Sequence, residues 1–130
     1  MKKILLLILS LIFSAPSWPN KNIDLAIKQY NPQTTLVASA ARGKEKWFET
    51  RNVEGKERNC TKCHGEDLTK SGKHVKTGKT IDPLAASVNA ERFTDLKKIE
   101  KWFKRNCKWT FERECTAQEK IDFLEYLRQF

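Results

Sequence analysis

The sequence has no long run of apolar residues, and it is poor in methionine and histidine. The apolar stretch at 4–13 is too short for a membrane-spanning helix, which needs about 20 such residues. No cysteine follows this stretch where a lipid anchor could be attached. Methionine occurs only at Met1, and histidine only at His64 and His74. The sequence thus predicts no transmembrane segment after processing. It also offers few methionine and histidine side chains as ligands for a metal.

The N-terminus has the pattern of a secretory signal peptide. Lys2 and Lys3 precede the apolar stretch, and small residues at Ala15 and Ser17 follow it. We therefore expect residues 1–17 to be removed and the protein to be periplasmic. Residues 18–34 are predicted to form an N-terminal lead-in. Residues 35–130 have the length of a single domain with one core.

The sequence also has too few acids to balance its basic residues. The formal charge of +9 falls to about +7 once Lys2 and Lys3 are removed with the signal peptide. Such a charge favours acidic partners. Export argues against a nucleic-acid partner, as does the apparent spread of the basic residues along the chain.

The most informative motif is Cys60-Thr61-Lys62-Cys63-His64. This C-x-x-C-H spacing is typical of c-type haem attachment. The two thiols add to the porphyrin vinyl groups, and the adjacent imidazole becomes an axial ligand of the iron. The sequence therefore predicts one covalent haem c, held by Cys60 and Cys63 with His64 as the proximal ligand.

Two other functions of the motif are less consistent with the sequence. A zinc site needs two further ligands, and His74, Cys107 and Cys115 follow at irregular spacing. A thioredoxin-like redox pair needs a βαβ context, and no alternating strand pattern is present.

Cys107 and Cys115 remain after the haem cysteines are assigned. In an oxidising compartment a disulfide between them is the economical interpretation. Two free thiols are the alternative.

The chain outside the motif reads as helices and loops. A short helix is compatible with Ile23, Ala26, Ile27 and Tyr30, and a helix is predicted over 35–51, where Gly43 would allow close crossing of another helix. Residues 65–82 lack periodicity and read as a loop. Thr94-Asp95 predicts the start of the next helix, and Thr116-Ala117-Gln118-Glu119 is a capping box for the last one. The fold class is therefore all-α.

The sixth iron ligand decides the function. A His/Met pair is excluded because Met1 lies in the signal peptide. His74, a neutral lysine, an asparagine side chain and an open position remain. His74 would give a permanently six-coordinate electron carrier, but it lies in the same loop as His64.

Several segments resemble one family of monohaem cytochromes. The helices around the motif are similar to the small class I cytochrome c fold, in which the first and last helices cross and the haem fills the core. More specifically, the chain resembles the SHP family of asparagine-ligated, oxygen-binding class I cytochromes over about residues 36–130. The matching segments are Cys60–His64, 72–79, 82–85, 87–89, 92–95 and Trp102-Phe103-Lys104-Arg105-Asn106-Cys107.

This resemblance implies a set of site residues. It implies that Asn106 is the distal ligand and that Cys107 and Cys115 form a disulfide. It also implies that the carbonyl of Pro83 accepts a hydrogen bond from His64 and orients the imidazole. Asn89 is the other asparagine in the matching region, and composition alone does not separate it from Asn106.

The function implied is binding of O₂, NO or CO when the haem is reduced. A carboxamide oxygen is a hard ligand that suits ferric better than ferrous iron, so reduction should release Asn106. The resemblance also implies a redox partner, a dihaem c-type cytochrome and a membrane b-type cytochrome being the candidates. The alternatives are a plain electron carrier with His74 as its sixth ligand and a gas-consuming haem oxidoreductase. The sequence assigns no catalytic acid or base, so it leaves open whether the protein is an enzyme.

Overall fold

The computed structural model describes residues 21–130. The predicted signal peptide at 1–17 lies outside the described residues. The secondary-structure elements, in chain order, are α1 Lys21–Tyr30, α2 Ala40–Phe48, β1 Arg51–Val53, β2 Lys56–Arg58, α3 Thr61–His64, β3 Gly72–Lys73, β4 Thr80–Ile81, α4 Leu96–Phe111 and α5 Ala117–Leu127. The described chain is thus mainly helical, with two small antiparallel hairpins, β1–β2 and β3–β4.

The main packing contact is the crossing of α2 and α5. A Cβ atom at Gly43 would lie 2.6 Å from the carbonyl carbon of Asp122 and 2.9 Å from Cβ of Tyr126. Only glycine therefore allows this approach, and the expected close crossing is confirmed. Around it lies the larger hydrophobic cluster, which is formed by Trp47, Leu68, Ala85, Cys107, Phe111, Cys115, Phe123, Tyr126 and Leu127.

A second, smaller cluster joins α1 to the rest of the fold. Ile23 and Ala26 of α1 pack against Ile99 of α4 and Leu124 of α5. Ile23 and Leu124 are fully buried. The short helix compatible with the sequence is therefore present, and the segment predicted as a lead-in contributes a packed helix.

Capping residues set the helix boundaries. Asp95 caps α4 by accepting hydrogen bonds from the amides of Lys97 and Lys98, and Thr116 and Glu119 form the predicted capping box of α5. The helix predicted over 35–51 is too long, because Ser39 caps α2 by accepting from the amide of Arg42. The loop predicted over 65–82 contains the β3–β4 hairpin, whose two-residue strands are too short for alternation to be visible in the sequence.

Among residues 21–130, no helix is long and apolar enough to cross a membrane.

Candidate haem site

The C-x-x-C-H segment is held by an asparagine cap. The Asn59 carboxamide oxygen accepts from the Thr61 hydroxyl at 2.8 Å and the Lys62 amide at 2.9 Å, and its Nδ2 donates to the Thr50 hydroxyl at 2.9 Å. The Cys60 carbonyl accepts from the amide of His64 at 3.1 Å. The segment therefore forms a single helical turn, α3, that is anchored to the chain just after α2.

Two glycines after the motif let the chain turn away from it and fold back onto it. Gly65 has φ of 72°, a conformation that L side chains rarely adopt. At Gly72 a Cβ atom would lie only 2.9 Å from Cα of His64, so the β3–β4 hairpin packs its backbone directly on the motif. The hairpin thus forms one side of the site.

Cys60 and Cys63 are free thiols and do not form a disulfide with each other. Cys60 packs against the larger hydrophobic cluster. Burial and, to a smaller extent, the neighbouring Cys63 together raise the pKa of its thiol to about 12. Both sulfur atoms therefore remain available for covalent attachment.

His64 is half-buried beside an aromatic wall. Its ring centroid lies 5.5 Å from that of Trp47, which in turn contacts Phe123 and Tyr126. Burial and, to a smaller extent, the positive charge of Arg92 together lower the pKa of His64 to about 4. At neutral pH the imidazole is uncharged and keeps the lone pair that a metal ligand needs.

The carbonyl of Pro83 lies in a small polar network. It accepts from Nε of Arg92 at 2.8 Å and from Nδ2 of Asn89 at 3.0 Å. The Asp82 carbonyl accepts from the same guanidinium at 2.5 Å. A bond from His64 to Pro83 is not among the hydrogen bonds of residues 21–130, and it stays a prediction.

Asn106 lies on α4 and is exposed. It directly precedes the buried Cys107, and Trp102, one turn earlier, is 47% exposed. Within the described part of the chain, no hydrogen bond involves its carboxamide. Asn89, in contrast, donates to Pro83 and accepts from the Glu91 amide at 3.3 Å. The structure therefore separates the two asparagines that composition could not.

His74 closes the turn between β3 and β4. Its Nδ1 accepts from the backbone amides of Lys76 at 3.3 Å and Thr77 at 3.2 Å. An accepting Nδ1 places the proton of the neutral imidazole on Nε2, and a protonated Nε2 has no lone pair for a metal. The turn thus favours the tautomer of His74 that does not ligate through Nε2.

Cys107 near the end of α4 lies beside Cys115, which comes just before the cap of α5. Their Cα atoms are 5.6 Å apart, a separation that a disulfide spans, and both side chains are buried. The two cysteines left over from the haem motif are therefore next to each other, and Cys107 directly follows Asn106.

Comparison with known proteins identifies the family to which this chain belongs. Residues 33–127 match a family model described as a domain of unknown function, DUF1924. The chain is 37% identical over 123 residues to the cytochrome c-type protein SHP of Cereibacter sphaeroides, an alignment that covers 93% of this chain and 95% of that protein.

The chain belongs to the SHP family of c-type cytochromes.

Solved structures agree with this assignment. Oxidised SHP, described as an oxygen-binding cytochrome c, superposes with a TM-score of 0.73 at 39% identity, covering 81% of this chain and 94% of that one. The solution structure of cytochrome c'' from Methylophilus methylotrophus superposes with a TM-score of 0.71 at 32% identity, covering 85% and 94%. That structure was described for its insights into the structural basis of haem-ligand detachment. The fold is thus the predicted class I cytochrome c fold, and this member of the SHP family carries one covalently attached haem c.

The donor set of this SHP-family chain fits that cofactor. Two free thiols and a neutral imidazole lie within five consecutive residues. The indole Nε1 of Trp47, beside His64, is buried without a hydrogen-bond partner among the described residues. A buried N–H group normally has an acceptor, so the polypeptide alone leaves this part of the site incomplete. The side chains present are therefore compatible with a haem.

Sequence reasoning did not find three residues that shape the site. Asn59 caps the motif, Trp47 contacts His64, and Arg92 places a positive charge near His64. Trp47 also belongs to the larger hydrophobic cluster, and its sequence context resembles that of any core residue. An asparagine one residue before the motif was a usable signal for Asn59, because asparagine favours N-terminal caps. No local pattern pointed to Arg92, whose role depends on the fold.

Proposed function

We propose that this protein is a periplasmic monohaem cytochrome c in which reduction opens the distal side of the haem to a diatomic gas. Cys60 and Cys63 hold the haem covalently, and His64 is the proximal ligand. Asn106 is the distal ligand of the ferric form. When the protein is reduced, Asn106 gives way to O₂, NO or CO.

The haem supplies a one-electron redox centre with a coordination position on its distal face. Asn106 controls access to that position, because its neutral, hard carboxamide oxygen holds ferric iron better than ferrous iron. Its Nδ2 group is a hydrogen-bond donor that remains beside the position taken by the gas. One side chain thus serves as the gate in one redox state and as a donor in the other.

The observation that carries the proposal is the difference between Asn106 and its competitors. Asn106 is exposed, and within residues 21–130 no hydrogen bond engages its carboxamide. Both polar atoms of the Asn89 carboxamide make hydrogen bonds, and Nδ1 of His74 accepts hydrogen bonds from backbone amides of its turn. The oxygen binding named for SHP and the ligand detachment named for cytochrome c'' support the same function for this relative.

A disulfide between Cys107 and Cys115 is part of the proposal. It closes a ring of nine residues at the end of α4, directly after Asn106. Such a ring stabilises a fold by about 2–3 kcal/mol in the chain-entropy model. It keeps the helix end in place when the Asn106 side chain moves. Mass spectrometry before and after reduction with alkylation tests the bond, because two alkylated cysteines without prior reduction would exclude it.

The test of the gate is the Asn106→Ala variant of the haem-loaded protein, with Asn89→Ala as the matched control. We expect the ferric low-spin bands to be lost in Asn106→Ala and retained in Asn89→Ala. We expect the reduced wild-type protein to bind CO. An unchanged ferric spectrum of Asn106→Ala would remove Asn106 from the site.

CO binding, the spectrum of a His74 variant and a turnover assay separate the alternatives. A reduced wild-type protein that does not respond to CO would be a plain electron carrier, and loss of the low-spin bands in His74→Ala would identify His74 as its ligand. Consumption of NO in the presence of O₂ over many turnovers would identify a haem oxidoreductase.

Electron exchange with a partner cytochrome, dihaem c-type or membrane b-type, completes the proposed function. Export is tested by cell fractionation and by sequencing the N-terminus of the mature protein, which we expect to begin at Trp18.

A further inference from the structure

The outer face of α4 carries a dense group of positive charges. Six side chains of this helix are exposed, are cationic and recur at helical spacing on one side. We call this the basic face, and it consists of Lys97, Lys98, Lys101, Lys104, Arg105 and Lys108. The sequence suggested that basic residues are spread evenly along the chain, and this is wrong for α4.

The cations of the basic face are almost free of ion pairs. Several basic side chains elsewhere have acidic partners, such as Arg113 with Glu119 at 2.7 Å and Arg128 with Asp24 at 2.8 Å. Within the described chain, the only ion pair of the basic face joins Lys108 to Glu114 at 3.7 Å. The positive charge of this face is therefore available to a partner.

This arrangement opposes the stability of the helix. Lys97 and Lys101 are four residues apart, as are Lys101 and Arg105, and like charges at that spacing repel each other. Lys97 and Lys98 also lie in the first turn, where the helix dipole disfavours cations, and the only acid at this helix start is the capping Asp95. The basic face therefore has no explanation in folding alone.

The basic face adjoins the residue that we assign to the haem. Asn106 lies on the same helix, between the basic face and the buried side. Trp102, one turn before it, is 47% exposed, and the Arg105 guanidinium lies 5.2 Å from the centroid of its ring. An exposed aromatic residue with an arginine over its ring has the composition of a binding hot spot.

We propose that the basic face, together with Trp102, is the docking surface for an acidic electron-transfer protein. The proposal rests on the proposed function, because it needs the haem to lie beside Asn106. Charge complementarity selects the partner, which presents aspartate and glutamate side chains around its own redox centre. Docking on α4 brings that centre close to the distal side of the haem.

The test uses a reduced acidic [2Fe–2S] ferredoxin as the probe. Stopped-flow spectroscopy measures the second-order rate of haem reduction in the haem-loaded protein as a function of ionic strength. The variant of the basic face is Lys101→Glu with Lys104→Glu. The matched control is Lys28→Glu with Lys44→Glu, which removes the same charge from exposed positions on α1 and α2.

We expect the α4 variant to react at least about tenfold more slowly at low ionic strength, and the control variant to stay within about threefold of wild type. The difference should vanish near 1 M salt, where the Debye length is about 3 Å. Equal slowing of the two variants would show that net charge alone matters and would overturn the proposal. Unchanged rates combined with binding of the wild-type protein to phosphatidylserine vesicles would overturn it in favour of a membrane surface.

CO binding after reduction by dithionite is measured on every variant. It reports the proposed gate independently of docking. Slow reaction with ferredoxin and normal CO binding support the docking surface. Absent CO binding in the wild-type protein would instead overturn the proposed function.

Discussion

The crossing of α2 and α5 and the outer face of α4 use charge in opposite ways. At the crossing, the buried Asp122 carboxylate accepts from Arg42 Nε and the Ser39 amide, both at 2.8 Å, and from Gln118 at 2.9 Å. On α4, exposed cations are crowded, and among the described residues only Lys108 of the basic face has an acidic partner. The contrast teaches that the charges that hold this fold and the charges available to a partner lie on different surfaces. Substitutions at the crossing should therefore cost stability, and substitutions on the basic face should not.

The largest expected effect is at Gly43. In Gly43→Ala the new methyl group would collide with the backbone of Asp122, which cannot move without displacing α5. We expect the free energy of unfolding to fall by about 3 kcal/mol, at the upper end of overpacking effects. Urea unfolding followed by circular dichroism measures the change, with the exposed Lys44→Ala as the control. A loss below about 1 kcal/mol would mean that the helices do not cross this closely.

The next largest effect is at Asp122. Asp122→Ala leaves the Ser39 amide and the Arg42 guanidinium without their acceptor, although Arg42 is half-exposed and regains water. We expect a loss of about 2 kcal/mol, because unsatisfied partners of a buried carboxylate are costly. The exposed Asp67→Ala is the control in the same unfolding experiment. Equal losses in the two variants would contradict a special role of the crossing.

Glu119 adds a pH-dependent contribution to the same region. Its hydrogen bonds from Arg113 and from the Thr116 amide lower its pKa from 4.5 to about 2, Arg113 having the largest effect. Because the folded pKa lies below the unfolded one, this stabilisation is complete above pH 4.5 and is lost as the pH falls towards 2.

The corresponding variant is Glu119→Gln, which we expect to be less stable by about 1 kcal/mol at pH 7. Its unfolding free energy should also fall less steeply than that of wild type between pH 4.5 and pH 2. Glu114→Gln, at a more exposed position, is the control. Parallel pH profiles for wild type and Glu119→Gln would contradict the assignment.

The smallest effect is expected on the basic face. Lys101→Glu removes repulsion from Lys97 and Arg105 and allows an attractive pair with Arg105. We expect the protein to become more stable by about 0.5 kcal/mol. Thermal unfolding measures this change, and an added 0.5 M salt should reduce it. A clear loss of stability would show that the basic face contributes to folding after all.

The local features of the fold could be predicted from the sequence. Asp95 and the Thr116–Glu119 capping box correctly marked the starts of α4 and α5, since capping depends on neighbouring residues only. The predicted start of α2 was too early, because the apolar residues before Ser39 continue the helical pattern. The β1–β2 and β3–β4 hairpins were not visible, because strands of two or three residues have no measurable period.

The candidate site was predictable in part. The C-x-x-C-H motif indicated Cys60, Cys63 and His64 directly, and no contact beyond the motif was needed. The preference that we propose for Asn106 over Asn89 rests on the tertiary hydrogen bond from Asn89 to Pro83, which the sequence does not reveal. The wall formed by Trp47 and the charge of Arg92 required the packing of distant segments. The sequence thus revealed the attachment chemistry, and the fold supplied the surroundings of the distal and proximal sides.

The most direct test of the account is a crystal structure of the ferric, haem-loaded protein. We predict that Oδ1 of Asn106 lies within about 2.2 Å of the iron on the face opposite His64, with His74 remaining in the β3–β4 turn. An imidazole nitrogen of His74 or a lysine Nζ atom at that distance would contradict the redox-controlled opening of the distal side.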